Sequence, residues 1–249
     1  MEGTWISLAW VAMLSVPLFL LTRWLSLHLQ GLGLLFSEND QIALLVHYLV
    51  LLPGILLHEV SHLLAARMVG VKIRSVSLRP KARRGGSVRM GAVTVAQSDP
   101  LRESWIGLAP LLTGTVAILM LARWQFGIQT LPDLSLGGVA QTLVQSFQAP
   151  DALVGLYVIF SISNSMWPSE SDRRQWGVVL AFLALSAAIV YVMGVLPQIP
   201  GGLAEALATA ADYLAFAFAL SVTVDVPVAL GILALEKIGQ HLLGRRVEY

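Results

Sequence analysis

The chain has 249 residues, of which 56% are hydrophobic and only 12% are charged. A soluble domain usually carries about a quarter charged residues, so this composition excludes an ordinary soluble protein and indicates a membrane protein. The chain has no cysteine, which excludes disulfides and thiolate metal sites, and its net charge of +1 favours no class of partner.

Six apolar segments approach or exceed the roughly 20 residues needed to cross the core of a bilayer. The predicted spans are 4–25, 41–69, 101–124, 151–167, 175–196 and 208–238. The first has no basic n-region and no clear cleavage site, so we expect a retained span rather than a signal peptide. The prediction is an all-α polytopic membrane protein that forms a single domain, 1–249.

Basic residues are concentrated between the second and third predicted spans. Half of the sixteen Lys and Arg lie there: Lys72, Arg74, Arg79, Lys81, Arg83, Arg84, Arg89 and Arg102. The positive-inside rule then places this connection and both termini in the cytoplasm. We expect a multi-pass protein of a prokaryotic plasma membrane, and no nucleic-acid partner, because this charge bias is ordinary for polytopic proteins.

The same connection contains two segments in which polar and apolar residues alternate. They cover 71–79 and 87–95, and a basic, glycine-containing turn separates them. Alternation with a period of two is typical of β-strands. The sequence therefore predicts a short β-hairpin at the cytoplasmic membrane surface.

The most informative motif is His58-Glu59-Val60-Ser61-His62, which lies inside the second span. Histidines at i and i+4 share one face of a helix, about one turn apart, and can bind a single metal ion. A glutamate beside the first histidine can act as general base toward a water activated by the metal. Ionisable side chains in an apolar span are costly, which favours a functional site over histidines that only hydrogen-bond between helices.

The three remaining histidines are poorly placed to complete the site. His28 falls in a predicted loop and His241 lies near the end of the sequence. His47 precedes His58 by eleven residues, which is about 16 Å along a helix and too far to share an ion. Because a catalytic zinc usually has three protein ligands, we expect a carboxylate as the third.

Three aspartates are candidates for that ligand. Asp172 follows the fourth span and lies near the cytoplasmic side, as His62 does, so it is favoured. Asp225 lies in the middle of the sixth span, beside Pro227, and is the second choice. Asp212 lies near the other end of that span. A carboxylate within a span can also serve only helix packing.

These residues resemble the motifs of the site-2 protease family of intramembrane zinc metalloproteases. That family carries His-Glu-x-x-His in one transmembrane helix and an aspartate ligand within Asn-x-x-Pro-x-x-x-x-Asp-Gly two helices later. Here Asn164 and Asp172 keep the same separation, whereas Pro168 is displaced by one residue and Arg173 replaces the glycine. The segment Ile106-Gly-Leu-Ala-Pro110 is similar to the family's third helix, and the resemblance covers about 41–176.

The resemblance implies an activity and a role for each residue. Zn²⁺ would be held by His58, His62 and Asp172, while Glu59 would move the proton from water to the leaving amine. Asn164 would hold the scissile backbone or the developing oxyanion. The substrate would be a transmembrane protein segment within the lipid bilayer, which must unwind before cleavage and could add as a strand to the hairpin edge at 88–95.

Two other functions are compatible with the motif. An inactive relative could act as a membrane scaffold that binds a partner without cutting it, although both histidines and Glu59 are retained. A metal transporter would be expected to show repeated halves and broken helices in matching positions, and the sequence shows neither. The physiological substrate, its cleavage preference, regulating partners and the oligomeric state are left open.

Overall fold

The computed structural model describes residues 2–78, 81–82, 88–89, 91–128, 138, 141, 144, 147–149, 151–193 and 201–245. This part of the chain is mostly helical. The helices with described bounds are α1 Glu2–Ser37, α2 Asp40–Val50, α3 Leu52–Met68, α4 Pro100–Trp124, α5 Ala152–Ser163, α6 Trp176–Val192 and α7 Gly201–Leu243. The strands are β1 Ile73–Ser77, β2 Lys81–Ala82, β3 Val88–Arg89 and β4 Ala92–Val95.

Three of these helices are long and apolar enough to span a membrane, which indicates a membrane protein. They contain the segments Ile6–Ser37, Pro100–Trp124 and Glu205–Leu243. Helices α2 and α3 give a fourth span if they count as one broken segment, since they are bent by 72°. The predicted fourth and fifth spans correspond to the shorter helices α5 and α6, and 194–196 lie outside the described residues.

The bend between α2 and α3 has a local cause. Pro53 lies in the first turn of α3 and has no N–H, so it begins a new helix and cannot continue α2. One residue later, the Gly54 N–H donates to Ser161 Oγ of α5 at 2.9 Å. A Cβ at position 54 would overlap the Ser161 carbonyl group. The glycine therefore lets α3 pack closely against α5, and this contact orients the helix that carries the histidine motif.

The hairpin predicted between the second and third spans is present. Strand β1 pairs antiparallel with β4, with Ile73 opposite Val95 and Ser77 opposite Ala92, and the register is irregular between positions 73 and 75. Strands β2 and β3 pair nearer the turn. Residues 79, 80, 83–87 and 90, which include the predicted turn, lie outside the described residues. Strand β4 also packs against α3, which brings the hairpin next to the histidine motif.

Helices α1 and α7 form the most extensive helix–helix contact and extend well beyond the predicted spans. The C-terminal part of α1 remains helical because Leu29 and Leu35 are buried there. The placement of His28 in a loop is therefore wrong: it lies inside α1 and faces α7. A hydropathy pattern finds the membrane-crossing length of a helix, whereas burial against a neighbouring helix determines where the helix ends.

Candidate metal centre

Three of the predicted ligands come together in space. The Nε2 atoms of His58 and His62 lie 3.1 Å apart on one face of α3. Asp172 Oδ1 lies 3.4 Å from His62 Nε2, and Asp172 Oδ2 lies 3.7 Å from His58 Nε2. One ligand atom from each residue falls within 4.8 Å of the others, so the three side chains can hold a metal ion.

The other ring nitrogen of each histidine is bonded to a backbone carbonyl. His58 Nδ1 lies 2.6 Å from the Ser165 oxygen, and His62 Nδ1 lies 2.9 Å from the Ile106 oxygen. A carbonyl oxygen only accepts hydrogen bonds, so each Nδ1 must carry the proton and donate it. A neutral ring in this tautomer presents the lone pair of Nε2 to the shared space, as a metal-ligating histidine does.

Both carbonyls can accept these bonds because neither is taken up by the N–H four residues later. Within α4 the Ile106 oxygen would normally bond to the N–H four residues later, but that residue is Pro110, which has no N–H. Ser165 follows the end of α5, and the N–H four residues after it, that of Ser169, donates instead to Asp172 Oδ2 at 2.7 Å. The chain thus supplies two backbone carbonyl acceptors to the histidines of an apolar helix.

Asp172 lies in the connection between α5 and α6, outside the helices. Its N–H donates to the Ser169 oxygen at 3.1 Å, which closes a tight turn beneath the carboxylate. Burial raises the pKa of the Asp172 carboxyl, but the imidazole groups of His58 and His62 and the hydrogen bond with Ser169 lower it by more, so that the pKa lies below its ordinary value. The group is therefore a carboxylate at neutral pH and is ready to bind a cation.

Gly107 determines how closely this turn approaches α4. A Cβ at position 107 would overlap the main-chain oxygen of Asp172. The turn can therefore lie directly on the helix surface, one residue from the Ile106 oxygen that binds His62. A single stretch of α4 thus orients one histidine and seats the aspartate.

A positive charge at the centre of the cluster would stabilise it. Two imidazole lone pairs and a carboxylate converge, and all three are acceptors that repel one another in a region of low dielectric constant. Around a tetrahedral zinc at about 2.0–2.1 Å, neighbouring ligand atoms lie about 3.3 Å apart. The observed separations of 3.1, 3.4 and 3.7 Å fit that geometry. Three protein ligands leave a fourth position for water or substrate.

Glu59 lies beside the ligands and is buried, with 6% of its surface exposed. It lines a cavity of about 830 Å³ together with the three ligands and Asn164. Residues 91–97, which contain β4, form another wall of this cavity. A Cβ at Gly91 would lie 2.5 Å from Glu59 Oε1, so the glycine allows the hairpin to lie directly on the carboxylate. The acid–base candidate, the ligands and the strand therefore share one enclosure.

The remaining candidates lie elsewhere. Asp225, the alternative third ligand, is fully buried and contacts Ser163 and Asn164 at the end of α5 rather than the histidines. Asp212 is not part of the ligand cluster found among the described residues. His47 lines the same cavity but not the metal group, and neither of its ring nitrogens has a hydrogen-bond partner in the described part of the chain.

The groups that orient the ligands could not be found from the sequence motifs. The Ile106 and Ser165 carbonyls are backbone atoms, and Gly91 and Gly107 contribute only by lacking a side chain. The one available signal was a proline inside the third apolar segment, four residues after Ile106, because such a proline always frees a carbonyl.

Comparisons with protein-family models, with curated proteins and with solved structures found no match for this chain. Evidence for the function of this protein therefore comes from the geometry of the site and from the motifs.

Proposed function

We propose that this protein is an intramembrane zinc metalloprotease that hydrolyses peptide bonds in or near transmembrane segments of other proteins. The observation that carries the proposal is the convergence of two Nε2 lone pairs and one carboxylate beside a buried glutamate. Because both Nδ1 protons are donated to carbonyls, two neutral rings and the carboxylate leave three acceptors facing one another, an arrangement that a metal ion stabilises.

Each residue has a role that follows from its position. His58, His62 and Asp172 would hold Zn²⁺, which when bound supplies a Lewis acid that polarises the scissile carbonyl and acidifies water. Glu59 would accept a proton from the attacking water and deliver it to the nitrogen of the leaving amine. The water oxygen adds to the carbonyl carbon, the C–N bond then breaks, and the proton that Glu59 took from water completes the amine.

The walls of the cavity suit an extended peptide. Strand β4 lines the cavity, and in the described part of the chain it pairs with β1 alone, so its other edge can accept a strand. A helical substrate hides its amides in its own hydrogen bonds, so it must unwind to reach the ligands. The free edge of β4 can form hydrogen bonds with the main-chain groups that the unwound substrate exposes, in a region where few water molecules are available.

The placement in the membrane is part of the same proposal. We take α5 and α6 as additional spans, which gives six, and place the hairpin and both termini on the cytoplasmic side because of the basic residues near them. The ligands would then lie near the cytoplasmic side of the bilayer, where water can reach them.

A cleavage assay separates the protease from an inactive scaffold. Reconstituted wild-type protein should cut at least one member of a panel of transmembrane peptides, and Glu59→Gln should cut none at a measurable rate. The loss should be about 100- to 10,000-fold, the usual contribution of general acid–base catalysis. Zinc content should be equal in the two proteins, because Glu59 is not in the ligand group. Metal-loaded wild-type protein that leaves every peptide intact would point to the scaffold.

A second measurement tests the ligand set. Asp172→Ala should sharply lower the zinc content of the purified protein, while Asp225→Ala should leave it unchanged, because only the first carboxylate faces the histidines. The opposite pattern would move the metal to α7 and overturn the assignment.

A further inference from the structure

Asp225 is a carboxylate in the interior of α7 that the chemistry proposed above does not use. It is fully buried, and its oxygens lie 3.0 and 3.2 Å from Ser163 Oγ. The side-chain nitrogen of Asn164 donates to Asp225 Oδ1 at 3.1 Å. A carboxyl group inside an apolar helix bundle is costly to keep, and its hydrogen bonds among the described residues all go to one turn at the end of α5.

That turn connects directly to the metal centre. Ser163 and Asn164 immediately precede Ser165, whose carbonyl oxygen accepts the hydrogen bond from His58. Asn164 also forms part of the cavity wall beside Glu59 and the ligands. Asp225 is therefore bonded to a turn that also contributes to the cavity wall.

The hydrogen bonds of Asn164 determine which end of its amide is available. Its Nδ2 donates to the Phe160 oxygen at 2.9 Å, and this carbonyl can only accept, so the nitrogen and oxygen of the amide cannot be exchanged. The bond to Asp225 uses the same nitrogen. The Oδ1 atom is buried and has no hydrogen-bond partner among the described residues. The one unused polar atom of Asn164 is thus an acceptor.

We propose that Asp225 is a positioning residue that fixes the Asn164 amide so that its oxygen accepts a main-chain N–H of the substrate peptide. This inference depends on the protease function proposed above. An acceptor cannot stabilise the negative oxygen that develops during peptide hydrolysis, because both groups would be electron-rich. Asn164 therefore binds the substrate backbone, and Asp225 acts only through Asn164.

Binding can be measured without cleavage in the Glu59→Gln background. The probe is a fluorescent transmembrane peptide that the wild-type protein cleaves, and its affinity for the reconstituted full-length protein is determined for four variants. Asn164→Ala and Asp225→Ala should each weaken binding about tenfold, the order of one hydrogen bond. The double variant should bind no more weakly than Asn164→Ala alone, because the two residues act as one unit.

Two control variants complete the set. Glu236→Ala also removes a buried carboxylate from α7, but one that contacts His28, and it should leave peptide affinity unchanged. Asp225→Asn keeps an oxygen that can accept from Asn164 and should restore most of the affinity. Zinc content should be the same in all variants, which separates positioning from general damage to the site.

A measurement on the wild-type protein tests whether the Asn164 amide is held in place, even if Asp225→Ala does not fold. Asn39 and Asn164 are the two asparagines of the chain, so labelling with ¹⁵N-asparagine gives two side-chain amide signals. The Asn164 signal should exchange with solvent much more slowly than that of exposed Asn39. Equally fast exchange would overturn the inference.

The outcomes distinguish the inference from the function on which it depends. Additive losses of about 100-fold in the double variant, or full affinity in Asp225→Ala, would overturn the positioning role while wild-type cleavage kept the protease function intact. An Asn164→Ala variant that loses turnover but binds peptide normally would place Asn164 at the oxyanion, contrary to the inference. If wild-type protein cleaves no membrane peptide, both proposals fail together.

Discussion

In the described part of the chain, two clusters combine histidine with a carboxylate, and they differ in one respect. Between α1 and α7, His28 Nδ1 lies 3.0 and 2.9 Å from the two carboxylate oxygens of Glu236, and Trp24 stacks on the imidazole ring. Donor meets acceptor directly there. At the candidate metal centre the Nδ1 atoms of His58 and His62 are bonded to backbone carbonyls.

The hydrogen-bond partners of the two clusters distinguish a structural histidine from a candidate metal ligand. In the α1–α7 cluster the nitrogen that carries the proton faces the acid, so the pair stabilises itself and has no need of a cation. In the other cluster the Nδ1 protons are donated to backbone carbonyls, so two neutral rings and the carboxylate leave three acceptors facing one another. Both clusters contain histidine and an acidic residue in buried surroundings. They are distinguished by the partner of Nδ1, which is a carboxylate for His28 and a backbone carbonyl for His58 and His62.

The largest expected effect comes from removing one histidine from each cluster. His62→Ala should abolish zinc binding and lower the cleavage rate by at least about 100-fold, since even the supporting partners of metal ligands contribute 10- to 100-fold. His28→Ala should leave zinc content unchanged and destabilise the protein by about 1–3 kcal/mol, because the Glu236 carboxylate stays buried without that partner. Zinc analysis and thermal unfolding of both proteins measure the two effects.

Two outcomes of this experiment would contradict the distinction between the clusters. If His28→Ala loses zinc as His62→Ala does, then the α1–α7 cluster also holds metal and the tautomer argument is wrong. If His62→Ala keeps its zinc and loses only stability, the supposed ligands are structural.

The part of the metal centre that could be predicted from sequence is the part fixed by local geometry. Histidines at positions 58 and 62 must share a helix face, and Glu59 must lie beside them, wherever the helix is placed. Asp172 could be favoured only by its expected side of the membrane, because its approach depends on the turn at Ser169 and on the contact with Gly107. Such contacts are set by packing between helices, which no local pattern encodes.

The same reasoning explains the errors in the fold. The apolar segments were found, but His28 was placed in a loop because its helix continues past the membrane-spanning length and packs on α7. Its partner Glu236 is 208 residues away in the sequence, so periodicity could not pair them. Asp225 was considered as a ligand, and only the positions of Ser163 and Asn164 show that it is bonded to α5.

A smaller effect is expected from substituting Gly107, because the change should move Asp172 without removing it. Gly107→Ala places a methyl group where the Asp172 carbonyl lies, so the turn must shift and the carboxylate leaves its position. Zinc affinity should fall about 10- to 100-fold, as it does when the outer partners of a ligand are lost. Competition with a chelator of known affinity measures the change.

The matched control for this substitution is Gly231→Ala. Gly231 lies in α7 and has open space around its missing Cβ, so the same change in a helix should leave zinc affinity unchanged. Equal affinities for the two variants would show that Asp172 does not depend on α4 for its position.

The smallest effect should follow from Pro110→Ala, and its sign is distinctive. Alanine restores an N–H that can bond to the Ile106 oxygen within α4, which should make the helix more stable. The restored bond then competes with His62 Nδ1 for that oxygen and weakens the preference for the tautomer that exposes Nε2.

Because a carbonyl oxygen has two lone pairs and can accept both bonds, zinc affinity should fall by only a few-fold, to about tenfold at most. Pro17→Ala in α1 is the control: it also restores an interior helix bond, but position 17 does not line the cavity, so zinc affinity should not change. A Pro110→Ala protein that gains stability and keeps full zinc affinity would show that His62 holds its tautomer without the freed carbonyl. The distinction between the two histidine clusters would then depend on His58 alone.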